Sequence, residues 1–218
     1  MDFWILVDGP SAAIVLGGTT LGTVLRCGLR NSFAALGTLL TIPAARFNAS
    51  GTRAELAVQI QDIRKDGLLR AEPHHFGDRE FDEVADALIE RRSLSALLEK
   101  HRAHRKRRLT RSEAAVSTLN QAAELGPVFG LVGTLISLSQ LSTASGGENA
   151  LSTAIPMAIV TTLYGLLLAN LVFAPLARLI ERRAMNEESE RQELVDWLAD
   201  ELRTSLDKRD TAIGRVAA

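Results

Sequence analysis

Residues 125–147 read LGPVFGLVGTLISLSQLSTASGG, and residues 149–177 read NALSTAIPMAIVTTLYGLLLANLVFAPLA; neither run contains Asp, Glu, Lys, Arg or His. Their lengths, 23 and 29 residues, exceed the roughly 20 apolar residues that a helix needs to cross a hydrocarbon core about 30 Å thick. A third charge-free run, 17 residues at 9–25, is borderline by the same measure. The sequence therefore excludes a simple soluble enzyme and predicts an all-α, polytopic membrane protein.

Basic residues outside these runs predict the orientation, because loops rich in Lys and Arg stay in the cytoplasm. Of the 25 Lys and Arg residues, 17 lie between Arg26 and Arg111, eight lie from Arg178 onward, and none lies in 1–25 or 112–177. The first run then enters the cytoplasm, the second leaves it and the third returns. We expect three transmembrane helices, with the N-terminus periplasmic and the C-terminus cytoplasmic.

The remaining sequence is charged and has apolar residues at helical spacing, which predicts helices in water. An apolar stretch at 31–45 is too short to span and is expected to be an amphipathic or packed helix on the cytoplasmic side. The predicted organisation has four parts: a first transmembrane helix at 1–28, a cytoplasmic helical domain at 29–120, a domain of two transmembrane helices at 121–178, and a cytoplasmic C-terminal helix and tail at 179–218.

Other kinds of site find little support in the sequence. The single cysteine, Cys27, excludes a zinc site built from several cysteines, and the adjacent His74 and His75 have no third ligand at a recognisable spacing. The basic cluster at 101–111 lies beside a membrane helix, so we expect it to set orientation and to contact anionic lipid or an acidic partner. We expect no enzymatic activity, no metal or cofactor, and no nucleic-acid partner. The transmembrane helices are expected to contact the lipid bilayer.

Small and hydroxyl-bearing residues form a stripe on each of the two long runs. In lipid, such stripes either pack against other helices or line a polar path. No ionisable residue lies inside the runs, so ion conduction would need a carboxylate from a partner, with the hydroxyls of Thr134 and Thr162 as waypoints. The stripes consist of Pro127, Gly130, Thr134 and Ser137 in the first run, and Ala154, Ala158, Thr161 or Thr162, Gly165 and Ala169 in the second.

The sequences ELGPVFGLVGT at 124–134 and AIVTTLYGLLLANLVFAPLA at 158–177 resemble the channel domain of the MotA/TolQ/ExbB proton-channel family. Within that family the resemblance is closest to the flagellar motor stator A subunits, and the sequences PSAAIVLGGT at 10–19 and RKDGLLRAE at 64–72 support it. The resemblance implies an ion-channel subunit of the bacterial inner membrane that couples the proton motive force to flagellar motor rotation.

The same resemblance implies partners and site residues. The chain would form a homo-oligomer, a pentamer in the family, around membrane helices of a MotB-like B subunit whose Asp carries the transported H⁺ or Na⁺. A flagellar rotor switch protein would be the third partner. The matched positions are Thr134 and Thr162 for the family's pore-facing threonines, Pro127 and Pro175 for its coupling prolines, and Arg64 and Glu72 for its rotor-facing charges.

Two features depart from the flagellar pattern. Flagellar A subunits have four membrane helices, of which this chain is expected to lack the first, and the segment between Glu72 and Pro127 is shorter than theirs. Three crossings with an external N-terminus is the layout of ExbB and TolQ. The alternative hypothesis is therefore an ExbB/TolQ-like, proton-driven energy transducer for an outer-membrane or envelope process, and a third is a passive membrane scaffold.

Overall fold

The computed structural model describes residues 8–41, 47–66, 78–91, 93–143 and 148–216. All regular structure within these ranges is helical, with no strand, which confirms the all-α prediction. The helices are α1 (Gly9–Cys27), α2 (Leu29–Thr41), α3 (Ala49–Asp66), α4 (Arg79–Arg91), α5 (Leu94–Thr143), α6 (Glu148–Leu167) and α7 (Ala174–Val216), and a π-helical segment, Leu168–Phe173, joins α6 to α7.

The chain divides into two compact units. The first, which we call the apolar unit, comprises Met1–Pro43 and Arg111–Arg182. The second, the charged unit, comprises Ala44–Thr110 and Arg183–Ala218. The long helices α5 and α7 contribute residues to both units.

Two helices are long and apolar enough to cross a membrane, Leu94–Gln140 and Ala154–Arg203. The two longer charge-free runs, as far as the structure describes them, overlap these two helices. The pair α1 and α2 passes the same test only when taken together, across a bend of 116°. The described residues thus contain two or three apolar spans, as a polytopic membrane protein requires, while the count of three stays a prediction.

The two ends of α1 are fixed by local chemistry. Asp8 precedes the helix, and its Oδ2 accepts a hydrogen bond from the backbone N–H of Ser11 at 3.0 Å, which satisfies one of the unpaired amides of the first turn. Gly28 ends the helix with φ at +82°, and its N–H donates to the Val24 carbonyl at 2.9 Å. This left-handed conformation, which glycine adopts readily, allows the sharp turn into α2.

Helix α2 packs inside the apolar unit through one side only. Ala35 is buried against Ala115 and Leu119 of α5 and against Ala177 and Ile180 of α7. The opposite side leaves large apolar residues exposed, among them Leu29, Phe33, Leu36 and Leu40. The helix is thus packed along one side, and the structure describes the 31–45 stretch up to Thr41; its place on the cytoplasmic side stays a prediction.

The charged unit has its own hydrophobic core, to which four helices contribute. Residues from α3, α4, the start of α5 and the middle of α7 meet there, as the spacing of their apolar residues predicts. The buried members of this cluster are Leu56, Ile60, Phe81, Val84, Leu97, Leu194, Val195, Leu198 and Leu202.

A partly buried ion pair joins the start of α4 to α7 in the charged unit. Asp78 caps α4 through Oδ1, which accepts from the Glu80 N–H at 2.9 Å, and its Oδ2 accepts from Arg191 Nη2 at 2.7 Å. Burial alone would raise the pKa of Asp78, but the hydrogen bond and charge of Arg191 lower it below its usual value. The Arg191 guanidinium also lies over the Phe47 ring, 4.1 Å from its centroid.

Candidate functional site

Helices α5 and α6 approach each other along a row of very small residues, which we call the glycine seam. A methyl group added to Gly126 would lie 2.8 Å from the Gly165 carbonyl oxygen, and one added to Gly130 would lie 3.1 Å from the Thr161 carbonyl oxygen. The contacts move backward along α6 as they advance along α5, so the helices are antiparallel. The seam comprises Gly126, Gly130 and Gly133 on α5, and Thr161, Gly165 and Ala169 on α6 and the π segment.

Helix α1 covers one side of this helix pair. The ring of Phe129 fills the notch at Gly18 and Gly22, where a methyl group added to Gly22 would lie 2.9 Å from Phe129 Cε2. The Tyr164 hydroxyl oxygen accepts a hydrogen bond from the Asp8 N–H at 3.2 Å. Phe129 directly precedes Gly130, and Tyr164 directly precedes Gly165. Helix α1 therefore lies on the side of the helix pair to which the residues just before the seam residues turn.

The residues that directly follow the seam residues turn to the opposite side. Each residue of an α-helix advances about 100° around the axis, and in two antiparallel helices the residue after a contact turns to the same side of the pair. No helix in the described ranges covers this side: Leu131 is 59% exposed and Leu166 is 46% exposed. We call it the open face; it comprises Pro127, Leu131, Thr134, Thr162, Leu166 and Asn170.

Two hydroxyl groups lie on the open face at different depths. Thr162 lies level with Gly130, since a methyl group added to Gly130 would be 3.2 Å from Thr162 Cα. Thr134 lies one helical turn beyond Gly130. Thr134 Oγ1 donates to the Leu131 carbonyl at 2.7 Å, and Thr162 Oγ1 donates to the Ala158 carbonyl at 3.2 Å. A hydroxyl that donates in this way still offers lone pairs to a water molecule or a cation.

The paired threonines of α6 have different environments. Thr161 is fully buried in the glycine seam, where its side chain would meet a methyl group added to Gly133 at 2.7 Å. Thr162 is half-buried and turns to the open face. The stripe predicted from spacing therefore divides into seam residues that pack the helices together and residues at its edge that carry accessible hydroxyls.

The two predicted coupling prolines lie where the helices are locally weakened. Pro127 lies inside α5 on the open face, and its missing N–H leaves the Ala123 carbonyl without its usual helical partner. Pro175 is exposed and follows the π segment, at whose end the Ala174 N–H donates five residues back to the Ala169 carbonyl. The π segment was not predicted from the sequence, in which Pro175 alone indicates that the helix is locally weakened.

The predicted rotor contacts are only partly described. Arg64 lies in the last turn of α3, and Glu72 lies outside the described residues, as do His74 and His75. Among the residues that the structure places, no group of three His, Cys, Asp or Glu side chains could hold a metal ion. The role of Arg64 and Glu72 therefore stays a prediction.

Known proteins with similar sequences include proteins named for motility and chemotaxis. Motility protein A of Cereibacter sphaeroides is 26% identical over 193 residues, covering 88% of this chain and 76% of that protein. Chemotaxis protein PomA of Vibrio alginolyticus is 27% identical over 198 residues, with the same coverage of 88% and 76%.

Solved structures share the fold. The flagellar MotAB stator complex from Bacillus subtilis contains a chain that superposes with a TM-score of 0.80 at 19% identity, covering 93% of this chain and 81% of that one. The structure of C. jejuni MotAB gives a TM-score of 0.79 at 18% identity, with 90% and 79% covered. At these identities the likeness establishes the fold alone.

A family model matches residues 72–193, which is more than half of the chain and includes the glycine seam and the open face. The family it describes is one of proton channels and not of enzymes. The chain belongs to the MotA/TolQ/ExbB proton channel family.

Proposed function

We propose that the chain is an A-type stator subunit of the bacterial inner membrane, which conducts H⁺ or Na⁺ together with a MotB-like B subunit and so drives flagellar rotation. The observation that carries this proposal is the open face, where two hydroxyls lie in the apolar unit on the side opposite α1. The names of the similar proteins, motility protein A and PomA, support a flagellar load. We propose neither a catalytic role nor a resident cofactor.

The open face supports a partner that brings the charge. Thr134 and Thr162 supply oxygen atoms but no carboxylate, and a conducting path needs a group that can bind and release the ion. Leu131 and Leu166, which lie beside the threonines, offer the apolar surface against which a partner's membrane helix can pack. We assign this face to the B subunit, whose ion-binding Asp would lie near the two hydroxyls.

A single helix pair cannot enclose an ion path, so the proposal requires several copies. The lipid-length helices α5 and α6 expose apolar side chains beyond the open face as well, including Leu135, which is 66% exposed. We propose a pentameric ring of A subunits, with the open faces directed inward, the N-terminus periplasmic and the C-terminus cytoplasmic. MotAB complexes are the assemblies named in the structures of similar fold.

The prolines and the rotor-facing charges link ion passage to rotation in this proposal. Pro127 lies on the open face and Pro175 follows the π segment, so a change in the ion's position can bend both helices where a backbone hydrogen bond is missing. The bending would reach the rotor switch protein through Arg64 and Glu72.

Ion flux in the assembled complex tests the role of the open face. The chain is co-expressed with the B subunit from the same organism and reconstituted into liposomes loaded with a pH-sensitive or a Na⁺-sensitive dye. We expect Thr134→Val and Thr162→Val to lower flux about tenfold or more, because each variant loses one hydroxyl that contacts the charged ion. The corresponding Ser variants keep the hydroxyl and should retain the flux. Thr20→Val, an exposed threonine on α1, is the matched control. Wild-type flux in both Val variants would reject the channel path.

Swimming tests the flagellar load separately. A strain without this chain should carry filaments, counted by electron microscopy, that do not rotate, and the intact gene should restore swimming. The charge-reversed double variant Arg64→Glu, Glu72→Arg should conduct ions without restoring rotation. Normal swimming by the deletion strain, in which no other stator gene remains, would contradict the flagellar load and favour an ExbB/TolQ-like transducer.

A further inference from the structure

Asn170 is an exposed carboxamide within an apolar stretch. It lies within the charge-free run 149–177, seven residues before the end of that run, and its side chain is exposed in the single chain. Polar side chains inside membrane segments are costly in lipid and face a bundle interior or a water-filled cavity. The Asn170 side chain therefore belongs on a protein-facing or water-facing surface and not against lipid.

The π segment places Asn170 on the open face. A methyl group added to Gly126 would lie 2.8 Å from the Gly165 carbonyl oxygen and 3.3 Å from Ala169 Cβ, so both residues lie in the same row of the seam. The wider turn of a π-helix advances each residue by a smaller angle than an α-helix does, which keeps Ala169 in line with Gly165. Asn170 follows Ala169 as Thr162 follows Thr161, and it turns to the same side.

The chemistry of Asn170 resembles that of the two threonines. Its Nδ2 donates to the Leu166 carbonyl at 2.9 Å, so the amide nitrogen is bonded to its own helix and the amide oxygen is the atom available to a ligand. Neutral oxygen atoms are ligands that hard cations accept. Asn170 lies eight residues beyond Thr162, about 12 Å farther along the helix axis, so the open face presents oxygen atoms at three depths: Thr134, Thr162 and Asn170.

We propose that Asn170 is a third ion-path residue. Its carboxamide oxygen accepts a hydrogen bond from a protonated water molecule, or from the hydration shell of a monovalent cation, after the ion leaves Thr162. This inference rests on the proposed ion-channel function. It gives the π segment a role, because its wider turn brings Asn170 closer to the line of Thr162 than the offset of about 80° that a regular α-helix would give. Pro127 follows Gly126, the seam residue that contacts Ala169, so Pro127 lies level with Asn170 along the seam. An ion at Asn170 would therefore pass beside Pro127.

The test measures ion flux through the assembled complex with its B subunit in liposomes, once with a pH-sensitive dye and once with a Na⁺-sensitive dye. We expect Asn170→Leu and Asn170→Ala to lower flux about tenfold, the effect of losing one hydrogen bond to a charged group. Asn170→Gln keeps the amide and should stay within about threefold of the wild type. Ser139→Ala removes an exposed hydroxyl of α5 that does not lie on the open face, and it is the matched control. Co-purification of the B subunit shows that each variant assembles.

The outcomes separate this inference from the function on which it rests. Loss of flux in the Leu and Ala variants, with assembly and the Gln variant intact, supports Asn170 as an ion-path residue, and the dye that responds identifies the ion. Wild-type flux in the Leu or Ala variant, while Thr134→Val loses it, overturns the role of Asn170 and leaves the channel in place. Loss of B-subunit co-purification in both apolar variants shows a subunit contact and also overturns it. No flux in the wild type overturns the proposed function itself.

Discussion

The substitution Gly165→Ala tests how closely the glycine seam is packed. The added methyl group would lie 2.5 Å from the Gly126 carbonyl oxygen and 3.1 Å from Gly130 Cα. Non-bonded carbon atoms reach their best separation at about 3.5–4.0 Å, so α5 and α6 would have to move apart by up to about 1 Å. The obstacles are backbone atoms, which cannot rotate away as a side chain can. Overpacking of this kind costs about 1–3 kcal/mol.

Gly17→Ala is the matched control, because no atom lies within 4 Å of a methyl group added there. Both substitutions gain the better helix propensity of alanine, up to about 1 kcal/mol, so the difference between the two variants isolates the seam. At about 2–4 °C per kcal/mol for a chain of this size, Gly165→Ala should unfold roughly 2–12 °C below Gly17→Ala. The assay is thermal unfolding followed by circular dichroism in one detergent. Equal midpoints for the two variants would refute the close approach of α5 and α6.

The charged unit gives two further predictions. Arg191→Met leaves the partly buried Asp78 carboxylate without its charged partner and should destabilise the unit by about 1.5–3 kcal/mol, measured by thermal unfolding. Arg203→Met, at an exposed position, should change stability by less than about 0.5 kcal/mol. Equal losses in the two variants would contradict a stabilising pair between Asp78 and Arg191. Burial, together with the charge of Arg108, lowers the pKa of His101 below its usual 6.5, so the unfolded chain binds this proton more readily than the folded chain does. The resulting stability is complete above pH 6.5 and is lost as the pH falls from there through the lowered pKa. His101→Gln should therefore flatten the fall in unfolding temperature between about pH 7.5 and 5.5, and an unchanged slope would contradict this reasoning.

Charge patterning predicted the fold class because the bilayer imposes it directly. A helix that crosses hydrocarbon must be long and free of charge, and both properties can be counted along the sequence. The two long runs accordingly coincide with the apolar parts of α5, α6 and the start of α7. The bend at Gly28 was not predicted, because a single glycine after an apolar run has many possible conformations and only the structure gives its φ of +82°.

The site was harder to predict, because a stripe of small residues does not reveal which side of it faces a neighbour. Spacing placed Gly130, Thr134 and Ser137 together, whereas the structure buries Ser137 completely and leaves Thr134 at the edge. The choice between Thr161 and Thr162 depends on the crossing of two helices, which no single segment encodes. Asn170 was missed because the stripes were defined by small and hydroxyl-bearing residues, and a carboxamide is neither.

Disulfide cross-linking to the B subunit tests the central claim, that the open face meets the partner that carries the ion. The native Cys27 is replaced by alanine, and single cysteines are introduced on the open face at Leu131 or Leu166 and, as controls, on the outward side at Leu135 or Leu167; all four side chains are exposed in the single chain. Each is paired in cells with cysteines scanned along the membrane helix of the B subunit. We expect cross-links from Leu131→Cys and Leu166→Cys and none from the two outward positions. Cross-links from Leu135→Cys or Leu167→Cys, with none from the open face, would contradict it.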